Sequence, residues 1–388
     1  MRSRYLEYMA ELLALNVRGW ETSVIVRIAK RIGRIGRMTA QEAETLNIVA
    51  EVNGDMDIII AQLARLTAKT ASDIYQLYRD VIIDQHGKNK NLYLFRGKNY
   101  VPFEDNERLK AIVKAFAKTT DETMINVTRT AAQSLGFRTQ AGFQPIKQFY
   151  YDALDKAVMQ VTTGTTDFYT ATAGVIKDMG GSGIVTEYAS GVTRRLDTVV
   201  RQTTLWGAKQ TYSEYSDFIA GEIDADGIEI DWHANPRPSH VFMQGRQFIL
   251  GKSRVINGVK YESADEALKR LNDYNCNHFK TPIICGVSEP TYDPGQLKKL
   301  NEQNERLYEI DGKKQNGYAW SQDMRKLETY VREQKTIKEA ARAEGNKELV
   351  AECNRNIKAA KAKYDQITDA TGIDPEPLRM RIYKEREK

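Results

Sequence analysis

From Tyr5 to about Gly87 apolar residues return every three or four positions: Leu6, Met9, Leu12 and Leu13, then Val24, Ile28 and Ile32, then Ile58, Leu63 and Leu66, then Ile74, Leu77 and Tyr78. That is the period of a helix with one buried face, and it predicts a helical N-terminal region over residues 1–87. Gly33, Gly36 and the pair Asn53-Gly54 are expected to interrupt it. The polar run from His86 to Lys98 reads as a loop. Helical spacing resumes from Asp105 to about Leu135, with Leu109, Ile112, Val113 and Phe116 on one face. Pro145, a residue favoured in the first turn, opens another helix carrying Phe149, Leu154, Ala157, Val158 and Val161, which Gly164 ends. A further helix from Thr166 to Asp178 stops at the run Gly180 to Gly183, and a long one spans about Val192 to Ile219, completing a central helical region over residues 100–220.

The period then shortens. Ile228-Glu-Ile-Asp-Trp232 alternates as a half-buried strand does, and Phe248-Ile-Leu250 is expected to pair with Val255-Ile256 and Val259-Lys-Tyr261 around an Asn257-Gly258 turn. Ser263-Ala-Asp-Glu266 has the spacing of a capping box at the head of a short helix. Residues 221–292 therefore form a small α+β unit with a β-hairpin. Beyond Asp293 the chain is helical and highly charged, with Gly345-Asn346 marking a reversal between two antiparallel helices. Apolar positions are sparse there, so residues 293–388 read as a charged helical arm, either solvated or packed on a neighbouring subunit. The fold class expected is mostly α with one small α+β unit.

Composition adds limits rather than an identity. Hydrophobic residues make up 41% and charged residues 28% of the 388, which fits a folded chain. No run of 18 or more apolar residues occurs, so no spanning helix and no membrane partner are expected. The first segment carries Glu7 and Glu11 within its apolar run, unlike a secretory signal. Three cysteines, unevenly placed, suit a reducing compartment and thiol or metal roles better than a disulfide framework. The net charge of +5 is modest, but between Arg18 and Arg37 six basic residues face only Glu21. Arg27, Lys30, Arg31, Arg34 and Arg37 are thus candidates for contact with phosphate or with an acidic protein face; the alternative is a solvated helix face.

Candidate chemistry concentrates late in the chain. His233, His240, Cys276, His278 and Cys285 fall within 53 residues. Imidazole and thiolate are the donors zinc prefers, although the spacing matches no common zinc-finger pattern; hydrogen-bonded core side chains are the other reading. Asp231, His233 and His240 could instead hold a catalytic metal, or His240 could act as a general base, as in a metal-dependent hydrolase or toxin-like enzyme. No Gly-x-Ser-x-Gly, Walker-type loop or His-Glu-x-x-His accompanies them, so no enzyme is expected.

At these same residues a family resemblance emerges. Tyr188-Ala-Ser-Gly191, Arg195-Leu-Asp197 through Val200-Arg201, Arg237-Pro-Ser-His240, Met243-Gln-Gly245, Asn275-Cys-Asn-His278 and Gly286-Val-Ser-Glu289 resemble the signatures of the phage minor capsid protein 2 family, and so does Tyr151 to Val161 upstream. The chain has Asn235 where the family pattern has Gly. That family is distantly similar to phage Mu F-like head morphogenesis proteins. Their pattern, carried onto this chain, selects Arg201, Trp232, His240, Gly245, Cys276 and His278. The resemblance implies a structural minor head protein, present in few copies close to the portal vertex. Its implied partners are portal protein, major capsid protein and packaged DNA, in the virion after assembly in the host cytoplasm. It also puts His240, Cys276 and His278 in ligand-like places, with His233 or Cys285 as a fourth.

Overall fold

The computed structural model describes residues 2–129, 134–164, 167–273 and 276–383; the expected helix start at Thr166, Asn275 of the family signature and positions 130–133 of the second helical region lie outside them. The protein is mostly α-helical with small β-sheets. The helices are α1 (Arg2–Ile35), α2 (Ala40–Glu44), α3 (Ile48–Lys88), α4 (Lys90–Phe95), α5 (Glu107–Arg129), α6 (Ile146–Thr162), α7 (Phe168–Ser182), α8 (Leu196–Glu222), α9 (Asp265–Leu271), α10 (Pro294–Glu305), α11 (Gly317–Glu344) and α12 (Lys347–Thr371). The chain forms two compact units. One gathers residues 1–9, 71–121 and 202–323, the other residues 10–70, 122–201 and 324–388.

The first unit contains a five-stranded sheet of β5 (Gly227–Ile230), β6 (Gln247–Ile249), β7 (Arg254–Ile256), β8 (Val259–Ser263) and β9 (Lys280–Ile283) in the order β7-β8-β6-β5-β9. Only the β6–β8 pair is parallel. The β7–β8 hairpin turns at Asn257 (φ 50°) and Gly258 (φ 79°), the left-handed pair that an Asn-Gly turn supplies. One sheet face, with Ile228, Ile230 and Phe248, packs on Ala267 and Leu271 of α9; the other carries Ile249, Tyr261 and Ile283. β5 is paired on both sides, with β6 and β9, and all four of its residues are buried, not alternate ones as the pattern suggested. Its Glu229 is satisfied there by Gln247 and the Thr291 amide. Ser263 precedes α9 and its Oγ accepts from the Asp265 amide, but Ala264 occupies the cap, so the expected capping box does not form.

In this unit α3 runs on through His86, and Lys90–Phe95 is helical, where a loop was expected. The polar residues are held inside: Asn89 Nδ2 donates to the Tyr215 hydroxyl, and His86 Nε2 meets the Val101 carbonyl at 2.8 Å. At Gly207 on α8 an added Cβ would lie 2.1 Å from the Tyr78 hydroxyl, so glycine permits this close approach.

The second unit holds a four-stranded antiparallel sheet, order β2-β1-β3-β4, of β1 (Leu135–Thr139), β2 (Gly142–Pro145), β3 (Val185–Glu187) and β4 (Thr193–Arg195). It adjoins α6 and α7, with Phe137 against Phe149 at 4.6 Å between ring centroids. Gly54 lies inside α3 and does not break it. An interior glycine costs only about 1 kcal/mol, less than the packing on either side provides. The helix reversal falls at Gly345 (φ 111°), and the Asn346 side chain caps α12. Here α11 is packed within its own chain: a Cβ on Gly33 of α1 would lie 2.2 Å from the Glu344 carbonyl oxygen. The charged hairpin is therefore an integral part of the unit rather than a free arm.

Candidate functional site

The connection leaving β5 at Asp231 returns at Gly245, whose amide donates to the Ile230 carbonyl at 2.8 Å. Gly245 has φ 69°, and a Cβ there would meet Leu297 of α10 at 2.6 Å. Asn235, the residue at the family's glycine place, adopts φ 52°, a conformation that asparagine tolerates better than most side chains. The loop so pinned carries His233 and, in a 3-10 turn at Pro238–His240, His240. Cys276 and His278 come from the connection between α9 and β9, beside the described sheet core.

One ligand atom each from His240, Cys276 and His278 lies within 4.8 Å of the others, and all three residues are buried. Cys276 Sγ is 3.6 Å from His278 Nδ1. His278 Nε2 faces Gln244 Oε1 at 3.3 Å, and His240 Nε2 faces Asp273 Oδ2 at 3.1 Å. Gln244 is fully buried and oriented in turn: its Nε2 donates to Asn301 Oδ1, which also accepts from Trp232 Nε1. Gln244 stands within a family-like segment that gave no sign of this role, and nothing in the sequence marked Asp273 or Asn301.

The other two candidates stand apart from that trio. The His233 ring lies edge-on to His278 at 4.5 Å, but its Nε2 is 3.2 Å from Asp231 Oδ2 without hydrogen-bond alignment, and it does not join the converging donors. Cys285 sits with Ile249, Tyr261 and Ile283 on the opposite sheet face, its amide donating to Asp226.

Electrostatics keep the trio neutral. Burial, then the neighbouring His233, pushes the His278 imidazole down to about 3, and burial lowers His240 despite its bond to Asp273. Burial raises the Cys276 thiol, although the Lys209 ammonium opposes it. Lys209 Nζ is itself bonded to the Leu271 and Cys276 carbonyls. At His233 burial acts downward, but the Asp231 carboxylate overrides it and the pKa is raised. Two neutral imidazoles and a thiol that releases its proton when an ion binds form a zinc-type donor set.

The predicted basic stretch lies in the second unit, on α1 as far as Arg34, with Arg37 in the turn that follows. Arg27 Nη1 and Arg31 Nε bind Asp55 of α3 at 3.1 and 3.0 Å, and Arg31 and Arg34 bind Glu51. The Tyr150 hydroxyl adds a bond to Asp55. Lys30 and Arg37 are exposed. The row thus grips α3 with three of its side chains and offers two to solvent.

Deeper in the same unit Arg18, Arg195, Arg201, Arg332 and Arg379 alternate with Glu11, Glu21, Asp197, Glu328 and Glu333 in one ionic cluster. Arg201, singled out by the family pattern, binds Glu11 at 3.1 Å. Arg18 Nη1 also donates to the carbonyls of Leu378, Arg379 and Arg381, and Arg332 binds Arg379 O, fixing the 3-10 turn Pro377–Met380. Burial pushes Glu21 up to about 7 against the pull of Arg195, and burial likewise takes Glu328 to about 7.

Among the described residues no helix is long and apolar enough to cross a membrane. The family model for phage minor capsid protein 2 matches residues 2–368. No curated protein and no solved structure matches the chain.

Proposed function

This chain belongs to the phage minor capsid protein 2 family, and on that premise we propose that it is a non-catalytic head component working close to the portal vertex. Its coarse role, a structural protein of the phage capsid found in the virion, follows from membership. The observation that carries the reading is the extent of the match, which takes in both compact units. Portal protein and major capsid protein are the proposed partners, met in the host cytoplasm during assembly. Contact with packaged DNA is assigned to the basic row along α1 and the turn after it, through Lys30 and Arg37 above all, since Arg27, Arg31 and Arg34 already bind carboxylates.

The rival, a metal-dependent hydrolase using Asp231, His233 and His240, has less support. His233 and Asp231 are partly exposed, but His240 is only 2% exposed, so a substrate cannot reach all three residues at once. Cross-linking followed by mass spectrometry on purified DNA-filled heads tests the proposal. The protein should be present and linked to portal and major capsid protein. Its absence from heads, or turnover of nucleic acid or peptide that is lost in His240→Ala, would overturn the reading.

A further inference from the structure

We propose that His240, Cys276 and His278 bind one zinc ion through two imidazole nitrogens and a thiolate, with water in the fourth position. Three features carry this. The first is distance. Zinc–sulfur and zinc–nitrogen bonds of about 2.3 and 2.0–2.1 Å, set at a tetrahedral angle, place sulfur and nitrogen about 3.6 Å apart. The Cys276 Sγ to His278 Nδ1 separation is 3.6 Å, and the His240 donor lies within 4.8 Å of both.

The second is orientation. Metal-bound imidazoles give their other nitrogen to a carboxylate, carbonyl or similar acceptor, which fixes the ring. Here Gln244 Oε1 meets His278 Nε2, leaving Nδ1 toward the sulfur, and Asp273 Oδ2 meets His240 Nε2. Gln244 can do so because its own amide nitrogen is anchored on Asn301.

The third is placement. The donors come from two connections, the loop returning at Gly245 and the segment between α9 and β9, and a shared ion would tie these to each other. The proposal departs from a four-residue site. His233 is held beside Asp231 and does not converge with the donors, and Cys285 lies on the other sheet face. Among the described residues only three donors converge, so a water enclosed with the buried ion takes its remaining position.

The test uses the full chain, expressed with zinc and purified without chelator. Elemental analysis should find about one equivalent of zinc, since a site formed in the folded state holds its ion through purification. Cys276→Ser, His240→Ala and His278→Ala should each lower bound zinc at least about tenfold, while His233→Asn keeps it. Cobalt exchanged into the unmutated protein should show a thiolate-to-metal charge-transfer band, which reads sulfur ligation even where the serine variant fails to fold. The proposal is overturned by substoichiometric zinc in a folded protein whose thermal stability ignores added zinc. Zinc kept in Cys276→Ser, or lost in a folded His233→Asn, equally rejects the ligand set.

Discussion

The two compact units each bury polar side chains, and they balance them in opposite ways. In the unit of residues 10–70, 122–201 and 324–388 guanidinium groups alternate with carboxylates, so the charge closes on itself. In the other unit a thiol and two imidazoles converge with only neutral or hydrogen-bonded surroundings at their free edges. Both are dense in ionisable residues. Only the second has donors that converge without closing, so convergence, rather than density, separates a candidate ligand site from a structural network.

The largest effect should come from opening the closed network. Asp197 is approached by Arg18, Arg195 and Arg332, and these three hold its carboxyl below the usual range against the upward push of burial. Asp197→Asn leaves buried guanidinium groups undercompensated and should cost about 3–5 kcal/mol. Amide exchange should record the loss in residues of that unit, with the zinc content of the other unchanged. A change below about 1 kcal/mol would mean that the arginines are satisfied by water instead.

A smaller, pH-dependent difference follows from the carboxyls that burial raises. Glu344, which accepts from the Thr172 hydroxyl, is pushed up to about 7 by burial, as are Glu21 and Glu328. The folded state keeps these protons up to about pH 7, whereas the unfolded chain releases them near 4.5. Between those values the folded state binds more protons, so stability is fully present below about 4.5 and falls as pH rises toward 7. Urea unfolding at pH 5 and at pH 8 measures the slope. Glu344→Gln should flatten it and raise stability at pH 8; an unchanged slope would show that Glu344 ionises freely in the fold.

The smallest effect on the fold is expected at the surface. Lys30→Glu with Arg37→Glu should shift stability by no more than about 0.5 kcal/mol, since both side chains are exposed. If they touch DNA, the salt slope of binding should lose about 0.9 for each phosphate contact removed. Identical slopes for the double variant and the unmutated chain would return the row to a purely structural role.

What the sequence showed follows from how long each pattern runs. Helices α1, α3, α8 and the α11–α12 reversal have many periods and were legible, as was the Asn257-Gly258 hairpin, whose turn chemistry is specific. The β1–β2 and β3–β4 pairs were missed because strands of three to five residues hold too few alternations to stand out. Gly54 and the His86 region misled because local breakers were weighed without the partners that compensate them, Tyr215 for Asn89 among these. Of the candidate site, His240, Cys276 and His278 could be named from residue type and family pattern. That Cys285 faces the other side of the sheet is a matter of strand register, invisible before β9 is placed.

The chain passes from one compact unit to the other at residues 9, 70, 121, 201 and 323. During synthesis, therefore, neither unit can be finished early. The guanidinium of Arg18 meets the carbonyls of residues 378, 379 and 381 only after every segment between them has been made. A truncated product would present an incomplete second unit with an open ionic cluster. That unit is therefore closed by contacts 360 residues apart in sequence, so its formation waits on long-range closure rather than on any one helix.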